Sequence, residues 1–296
     1  MRKRSPLLFV FILIIGSLSA QNEEIYRAVI EDKYVFGKER SIKDIQIFTE
    51  QTNINLKSWD KNHVELKIVN SSRHADGVVA RDGLRNIEFV NEQQRHRLHI
   101  RKIVRKKSSD KERTASLFSE LTLYVPEGTT VKVNNKVGRV EILSSKLELI
   151  GTLELCQLKI HSSQLRLDIS QNFGETYISG SQIEGSLKLN RVNASIFDVS
   201  GELELNSQWG SLTLEPTQLS FELLGKVDKT DLNIRRFSID NHHLSLSARN
   251  TRIEISPGID LSFIEDNNLV SLNHSPGNTL VNLKLQSNLG KIRISQ

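Results

Sequence analysis

The feature that most constrains this chain is a two-residue alternation running from Leu121 to its last residues. Leu121-Thr-Leu123-Tyr-Val125 opens it, and Val131-Lys-Val133, Val140-Glu-Ile142, Leu147-Glu-Leu149, Leu153-Glu-Leu155 and Leu158-Lys-Ile160 follow. Leu165-Arg-Leu167-Asp-Ile169, Leu187-Lys-Leu189, Leu203-Glu-Leu205, Leu212-Thr-Leu214, Leu244-Ser-Leu246, Ile253-Glu-Ile255, Leu283-Lys-Leu285 and Ile292-Arg-Ile294 continue it. Successive side chains of a strand point to opposite faces, so each segment predicts a strand with one dry and one wet face. The segments are short and begin at uneven intervals. Gly-x-apolar-x-apolar recurs at Gly138, Gly151, Gly185, Gly201, Gly210 and Gly290, and Ser144-Ser145, Ser162-Ser163 and Asn267-Asn268 fill other corners.

Two architectures fit this pattern. Antiparallel hairpins would make a sandwich or barrel, and they favour Asn-Gly or Asp-Gly turns. Neither dipeptide occurs after residue 119. Short strands joined through Gly and Ser corners instead predict an all-β chain, a right-handed parallel β-solenoid with irregular short coils. Inward pairs such as Val140 and Ile142 would stack along its axis. Burying such a pair contributes on the order of 3–6 kcal/mol before chain entropy.

The first third reads differently. Ile45-Gln-Ile47, Ile54-Asn-Leu56 and Val64-Glu-Leu66-Lys-Ile68 predict strands, with Trp59-Asp60 at the corner between the last two. Ala75 to Asn86 predicts a short helix with Val78, Val79 and Leu84 on one side, weakened by Gly77 and Gly83. A solenoid end exposes core and unpaired backbone, so it needs a cover. Residues 21–118 are therefore read as opening coils and an N-terminal cap containing this helix. Residues 119–296 are read as the repeat region.

Met1-Arg2-Lys3-Arg4, the apolar run Leu7 to Ile15 and Gly16-Ser17-Leu18-Ser19-Ala20 have the layout of a signal peptide over residues 1–20. An uncleaved anchor is the alternative, although the run is shorter than the roughly 20 residues a span needs. Cleavage would remove three of 40 basic residues and leave 37 against 35 acidic ones, a net charge of +2. The expected location is exported: periplasmic, outer-membrane-associated or extracellular, and not integral to the membrane after cleavage. The composition, 38% hydrophobic and 25% charged with a mean hydropathy of -0.33, excludes a polytopic membrane protein and a disordered chain. Cys156 stands alone, which excludes an intrachain disulfide and a Cys-rich zinc site. It is expected to be a small buried residue.

The run Ile54-Asn-Leu56-Lys-Ser-Trp59-Asp-Lys-Asn-His-Val64-Glu-Leu66, then Leu121-Thr-Leu123-Tyr-Val125-Pro126-Glu-Gly128, then the Gly-spaced repeats, resembles a known family. It is similar to the adhesin-type β-strand-repeat proteins of Bacteroidetes-like bacteria, relatives of the head domain assigned to auto-transporter adhesins. The resemblance spans nearly all of the chain after the leader. It implies an exported β-solenoid and brings no catalytic residue with it.

Arg95 to Arg113 holds nine Lys and Arg against two acidic residues. Arg101, Lys102, Arg105, Lys106 and Lys107 form a candidate anion-binding patch, with a solvated strand and loop as the alternative. Only Phe118 lies close by, so base stacking is unsupported and no nucleic acid is expected. The histidines lack ligand spacing, so no metal and no cofactor is expected. Outward Glu141, Glu148, Glu154, Asp168, Glu202 and Glu204 are read as surface charge, and no catalytic residue and no enzyme activity is expected. Trp209, at the corner before Gly210, is the candidate exposed aromatic. The expected function is a non-enzymatic adhesin-like binding or scaffold protein of the cell envelope. Its partner would be an envelope component or another copy of the chain. The alternative is a carbohydrate-binding or carbohydrate-active protein on a β-helix scaffold.

Overall fold

The computed structural model describes residues 25–105, 115–216, 220–277 and 281–296. Residues 1–20, read from the sequence as a signal peptide, and Lys106 and Lys107 lie outside the described residues. The elements run β1 (Tyr26–Phe36), β2 (Asp44–Glu50), β3 (Thr52–Trp59), β4 (Val64–His74), α1 (Gly77–Leu84), β5 (Ile87–Gln94), β6 (Arg97–Val104) and β7 (Ser116–Pro126). They continue with β8 (Thr130–Leu143), β9 (Lys146–His161), β10 (Gln164–Ser179), β11 (Gln182–Phe197), β12 (Ser200–Glu215) and β13 (Phe221–Ile234). The last are β14 (His242–Arg249), β15 (Arg252–Ile255), β16 (Phe263–Asp266), β17 (Leu269–His274), β18 (Val281–Asn288) and β19 (Lys291–Ile294). Among the described residues the chain is all-β apart from α1, and its sheet is largely parallel. It divides into two compact units, residues 1–138 and 139–296.

In the second unit the alternation is realised as parallel stacking. β9 to β12 each run 16 residues. Lys146 lies opposite Gln164, Gln164 opposite Gln182, and Gln182 opposite Ser200. Only Ser162 and Ser163 separate β9 from β10. A straight strand cannot reach a parallel partner across two residues. The strands themselves therefore bend. Leu155, Phe173, Arg191 and Trp209 take φ of 52°, 58°, 56° and 57° and split each winding into two legs. The expected uneven coils are corrected here: from Lys146 to Glu215 the offset is a constant 18 residues. Unevenness begins later, with 20 residues between Gln208 and Asp228 and 60 between Asp228 and Asn288.

The dry rows face each other between the legs. Leu149 and Leu167, then beyond Gly185 Leu203, Leu223 and Leu283, line up as one row whose leucines are buried, and Ile160, Ile178, Ile196, Leu214 and Ile234 form another. The remaining corner carries Ser145, Ser163 and Ser181, all buried. Ser163 Oγ accepts from the Ser145 N–H at 3.1 Å and donates to the His161 carbonyl at 2.7 Å, and Ser181 repeats both bonds one winding on. Cys156 is buried, as its isolation in the sequence predicted.

Order along the chain and order in the stack part company after β13. β18 lies between β13 and β14, with Leu283 opposite both Leu223 and Leu244. β19 lies between β13 and β15, with Ile292 opposite both Leu232 and Ile253. Ile292 to Ile294, the last of the alternating segments, is therefore no open edge, because both of its sides are paired. Antiparallel β17 and then β16 continue outward from β14. The first unit has a matching arrangement. β2 lies between β6 and β8, with Ile45 opposite Leu98 and Val131, and β3 runs parallel to β7. Antiparallel β5 stands beside β6, β4 beside β7, and β1 beside β4.

The helix forms within the predicted span. The Asp76 carboxylate caps it, accepting from the N–H groups of Val78 and Val79, which satisfies donors that a first turn leaves unpaired. Its inward face differs from the expected one: Ala80, Gly83 and Leu84 are buried, while Val78 is 56% exposed. Trp59 closes the corner before β4. Its Nε1 donates to the His63 carbonyl at 2.9 Å and its ring stacks on Tyr124.

His242, at the head of β14, is buried, and its Nδ1 accepts from the Ser238 N–H at 3.1 Å. Burial holds this imidazole below its ordinary value of 6.5. The unfolded chain therefore binds the proton more tightly, so the neutral ring's contribution is whole above pH 6.5 and is lost progressively as pH falls below it. We expect hydrogen-exchange protection of β14 and β18 to fall between pH 7 and pH 5 in the native chain. The fall should shrink in His242→Gln, which keeps an acceptor but does not titrate. Equal falls in both chains would remove His242 as the cause.

Candidate binding surface

Of the basic segment, only Arg95 to Arg105 lie within the described residues, and there Arg101 and Lys102 do not share a face. Alternation along β6 turns Lys102 inward while Arg101 faces out. Lys102 Nζ donates to the carbonyls of Glu50 and Gln51 at 2.8 and 3.0 Å, where Gln51 turns the chain from β2 to β3 with φ of 50°. Burial lowers the Lys102 ammonium to about 8, against the attraction of Glu50. It fastens this corner. Arg105 pairs with Glu88. Arg101 remains exposed on the outer face, in a groove of about 700 Å³ also lined by Phe48, Val90, Glu92, Arg97 and His99. Arg97 is already held by Asp44 at 3.1 Å. His242 and His243 face opposite ways, as alternation predicted: the first is buried and the second meets Asn273 at 3.3 Å. Among the described residues no group of three or more His, Cys, Asp or Glu is placed to hold a metal ion.

Trp209 is where the sequence placed it, at a corner, and 45% exposed. What the sequence reading missed is its company. The constant offset puts Leu155, Phe173, Arg191 and Trp209 at the same corner of successive windings, and the register extends the row to Lys229 and Leu289. Strands stack about 4.8 Å apart, so the row is a ridge about 24 Å long. Leu155, Phe173 and Leu289 are 51%, 39% and 47% exposed. Arg191 lies over the Phe173 ring at 5.3 Å, and Lys229 over the Trp209 ring at 4.3 Å. Each contact adds about 0.5–1 kcal/mol at such exposure.

The backbone makes these side chains unusual. All six ridge residues have φ between 49° and 58°. This left-handed region costs a side chain with a Cβ roughly 1–2 kcal/mol relative to glycine. At the opposite corner the same conformation is filled by Ser144, Ser162, Gly180 and Asp198, the small and polar residues it favours. Conformational preference therefore selects the residues at one corner and not at the other. Nor does burial explain the ridge, which points into solvent.

A search with protein-family models finds none that matches this chain, and no curated protein matches it in sequence. Comparison with solved structures finds low-scoring likenesses that span most of both chains. A "putative adhesin" from Parabacteroides merdae is 10% identical with a TM-score of 0.39, covering 90% of this chain and 95% of its own. A "putative cell adhesion protein" from Clostridium sporogenes is 10% identical with a TM-score of 0.28, covering 90% and 98%. A "putative lipid binding protein" from Parabacteroides distasonis is 11% identical with a TM-score of 0.34, covering 89% and 96%. Adhesin names recur among these neighbours, as in the family that the sequence resembles.

Proposed function

We propose that this chain is an exported, non-enzymatic, adhesin-like binding or scaffold protein of the cell envelope. In this reading its windings are right-handed, and α1, which packs on β1 and β4, belongs to the N-terminal cap. The observation that carries it is the ridge: bulky apolar, aromatic and cationic side chains held out to solvent on a rigid stack, at backbone positions that disfavour them. Rigid elements present contact residues with little ordering cost. The leader in residues 1–20 supports export.

The test uses the chain lacking residues 1–20, applied to the native cell envelope. We expect retention on the envelope fraction that weakens at least tenfold in Trp209→Asn. Retention no better than that of an unrelated β-rich protein would overturn the reading. The half-exposed Trp209 also favours the second reading, a carbohydrate-binding protein, because ring faces stack on sugars. Glycan-array binding that is lost in Trp209→Asn would select it.

A further inference from the structure

We propose that the ridge is a self-complementary surface on which two copies of this chain pair about a two-fold axis, with their ridges antiparallel. The argument is the order of side chains along the row: Leu155, Phe173, Arg191, Trp209, Lys229, Leu289. Reversing that row and laying it on itself puts Leu155 against the partner copy's leucine at the far end of the ridge. Phe173 then meets a lysine, and Arg191 meets a tryptophan. Every ring faces a cation and every leucine faces a leucine. No cation opposes a cation. A two-fold interface requires this kind of self-match, since each residue meets its counterpart twice. The parallel alternative sets Arg191 on its own copy and Lys229 on its own copy, and like charges exclude it.

The contacts already made within one chain show that the chemistry is favourable, because Arg191 covers Phe173 and Lys229 covers Trp209. Pairing would repeat the same ring–cation contact between copies. Arg191 and Trp209 fall at the centre of the paired row. Arg and Trp are the residue types that dominate binding when they lie at an interface centre.

One flank agrees with the pairing. Antiparallel ridges place Glu154 opposite Asn288, Asn172 opposite Asp228, and Asn190 opposite Gln208, so carboxylates meet amides. On the other flank Glu175 opposes Asp231, the one like-charged match, and both stand at the rim. A single ridge covers less than the ~800 Å² per partner of a standard interface, so the dimer is weak and concentration-dependent. The proposal deepens the adhesin reading, in which another copy of the chain is one of the partners.

Sedimentation of the chain lacking residues 1–20 tests it. We expect a reversible dimer whose dissociation constant rises at least tenfold in Trp209→Asn and in Arg191→Glu. Asn suits the left-handed corner, so Trp209→Asn should melt no lower than the native chain, which separates lost pairing from lost folding. In a Cys156→Ala background, Leu155→Cys mixed with Leu289→Cys should form an intermolecular disulfide, and Leu155→Cys alone should not. A chain that stays monomeric at every accessible concentration, or a Leu155→Cys self-crosslink, overturns the pairing. So does a dimer indifferent to both ridge substitutions. Trp209-dependent binding of a monomer to a glycan or vesicle would also overturn it while leaving the adhesin reading intact. Loss of envelope retention with an intact dimer would do the reverse.

Discussion

Gly174→Ala is expected to destabilise the second unit by at least about 3 kcal/mol, more than its single added methyl suggests. Gly174 sits opposite Cys156 on the preceding winding, with φ of 118°. A Cβ placed there would fall inside the van der Waals envelope of the Cys156 carbonyl oxygen, which is backbone and has no rotamer to move to. The windings must separate or the corner must change its dihedrals. Overpacking of this kind costs roughly 1–3 kcal/mol, and a strained backbone at the same residue adds to it. Because each winding contacts only its neighbours, damage should be local. Hydrogen exchange resolved by segment is therefore the apt measurement. Protection should drop most in β9 and β10 and least in β13. Unchanged protection in β9 and β10 would show that the stack is looser at this corner than described.

The second large effect concerns Gln171, which is fully buried at the same corner. Its Nε2 donates to the carbonyls of Cys156 and Glu175 at 2.9 and 3.1 Å, and its Oε1 accepts from Thr176 Oγ1 at 2.7 Å. Gln171→Leu keeps the volume and removes every one of these bonds. A buried polar group left unpaired costs about 1–3 kcal/mol, so a total of about 3 kcal/mol is expected. Asn135 fills a comparable place in the first unit, bonded to Thr49 Oγ1 and the Thr52 carbonyl. Gln171→Leu should thus lower the thermal midpoint of the second unit alone. If the midpoint holds or rises, the amide contributes nothing that leucine packing does not replace.

Particular residues show how far the sequence could be read. Leu158-Lys-Ile160 and its like announce strands through period two, and Ser162-Ser163 announces a corner, because backbone geometry acts over neighbouring residues. Direction follows less directly. The scarcity of hairpin dipeptides predicted parallel stacking, and the register from β9 to β13 is parallel. The 18-residue winding was present in the sequence, in the steps from Ser145 to Ser163 to Ser181 and from Leu155 to Phe173 to Arg191 to Trp209. Uneven spacing of individual apolar triplets concealed it, because each winding contains two legs of unequal length. The ridge was invisible for a related reason. Leu155 reads as the second member of the alternating pair Leu153-Glu-Leu155, and only its positive φ turns it outward. Facing within the basic run was hidden because composition does not reveal it: Lys102 and Arg101 are adjacent in sequence and point opposite ways. The insertion of β18 and β19 beside β13 depends on contacts 60 residues apart, which no local pattern encodes.

That insertion fixes a timetable. A chain made from its amino end can lay β9 to β13 down in order, each on a surface already waiting. It must then leave a slot one winding deep open while 242–274 emerge, and residues 281–294 fill it. A chain cut after residue 280 would leave two half-built edges facing each other across an empty berth. The keystone of this stack is thus laid after both of its neighbours.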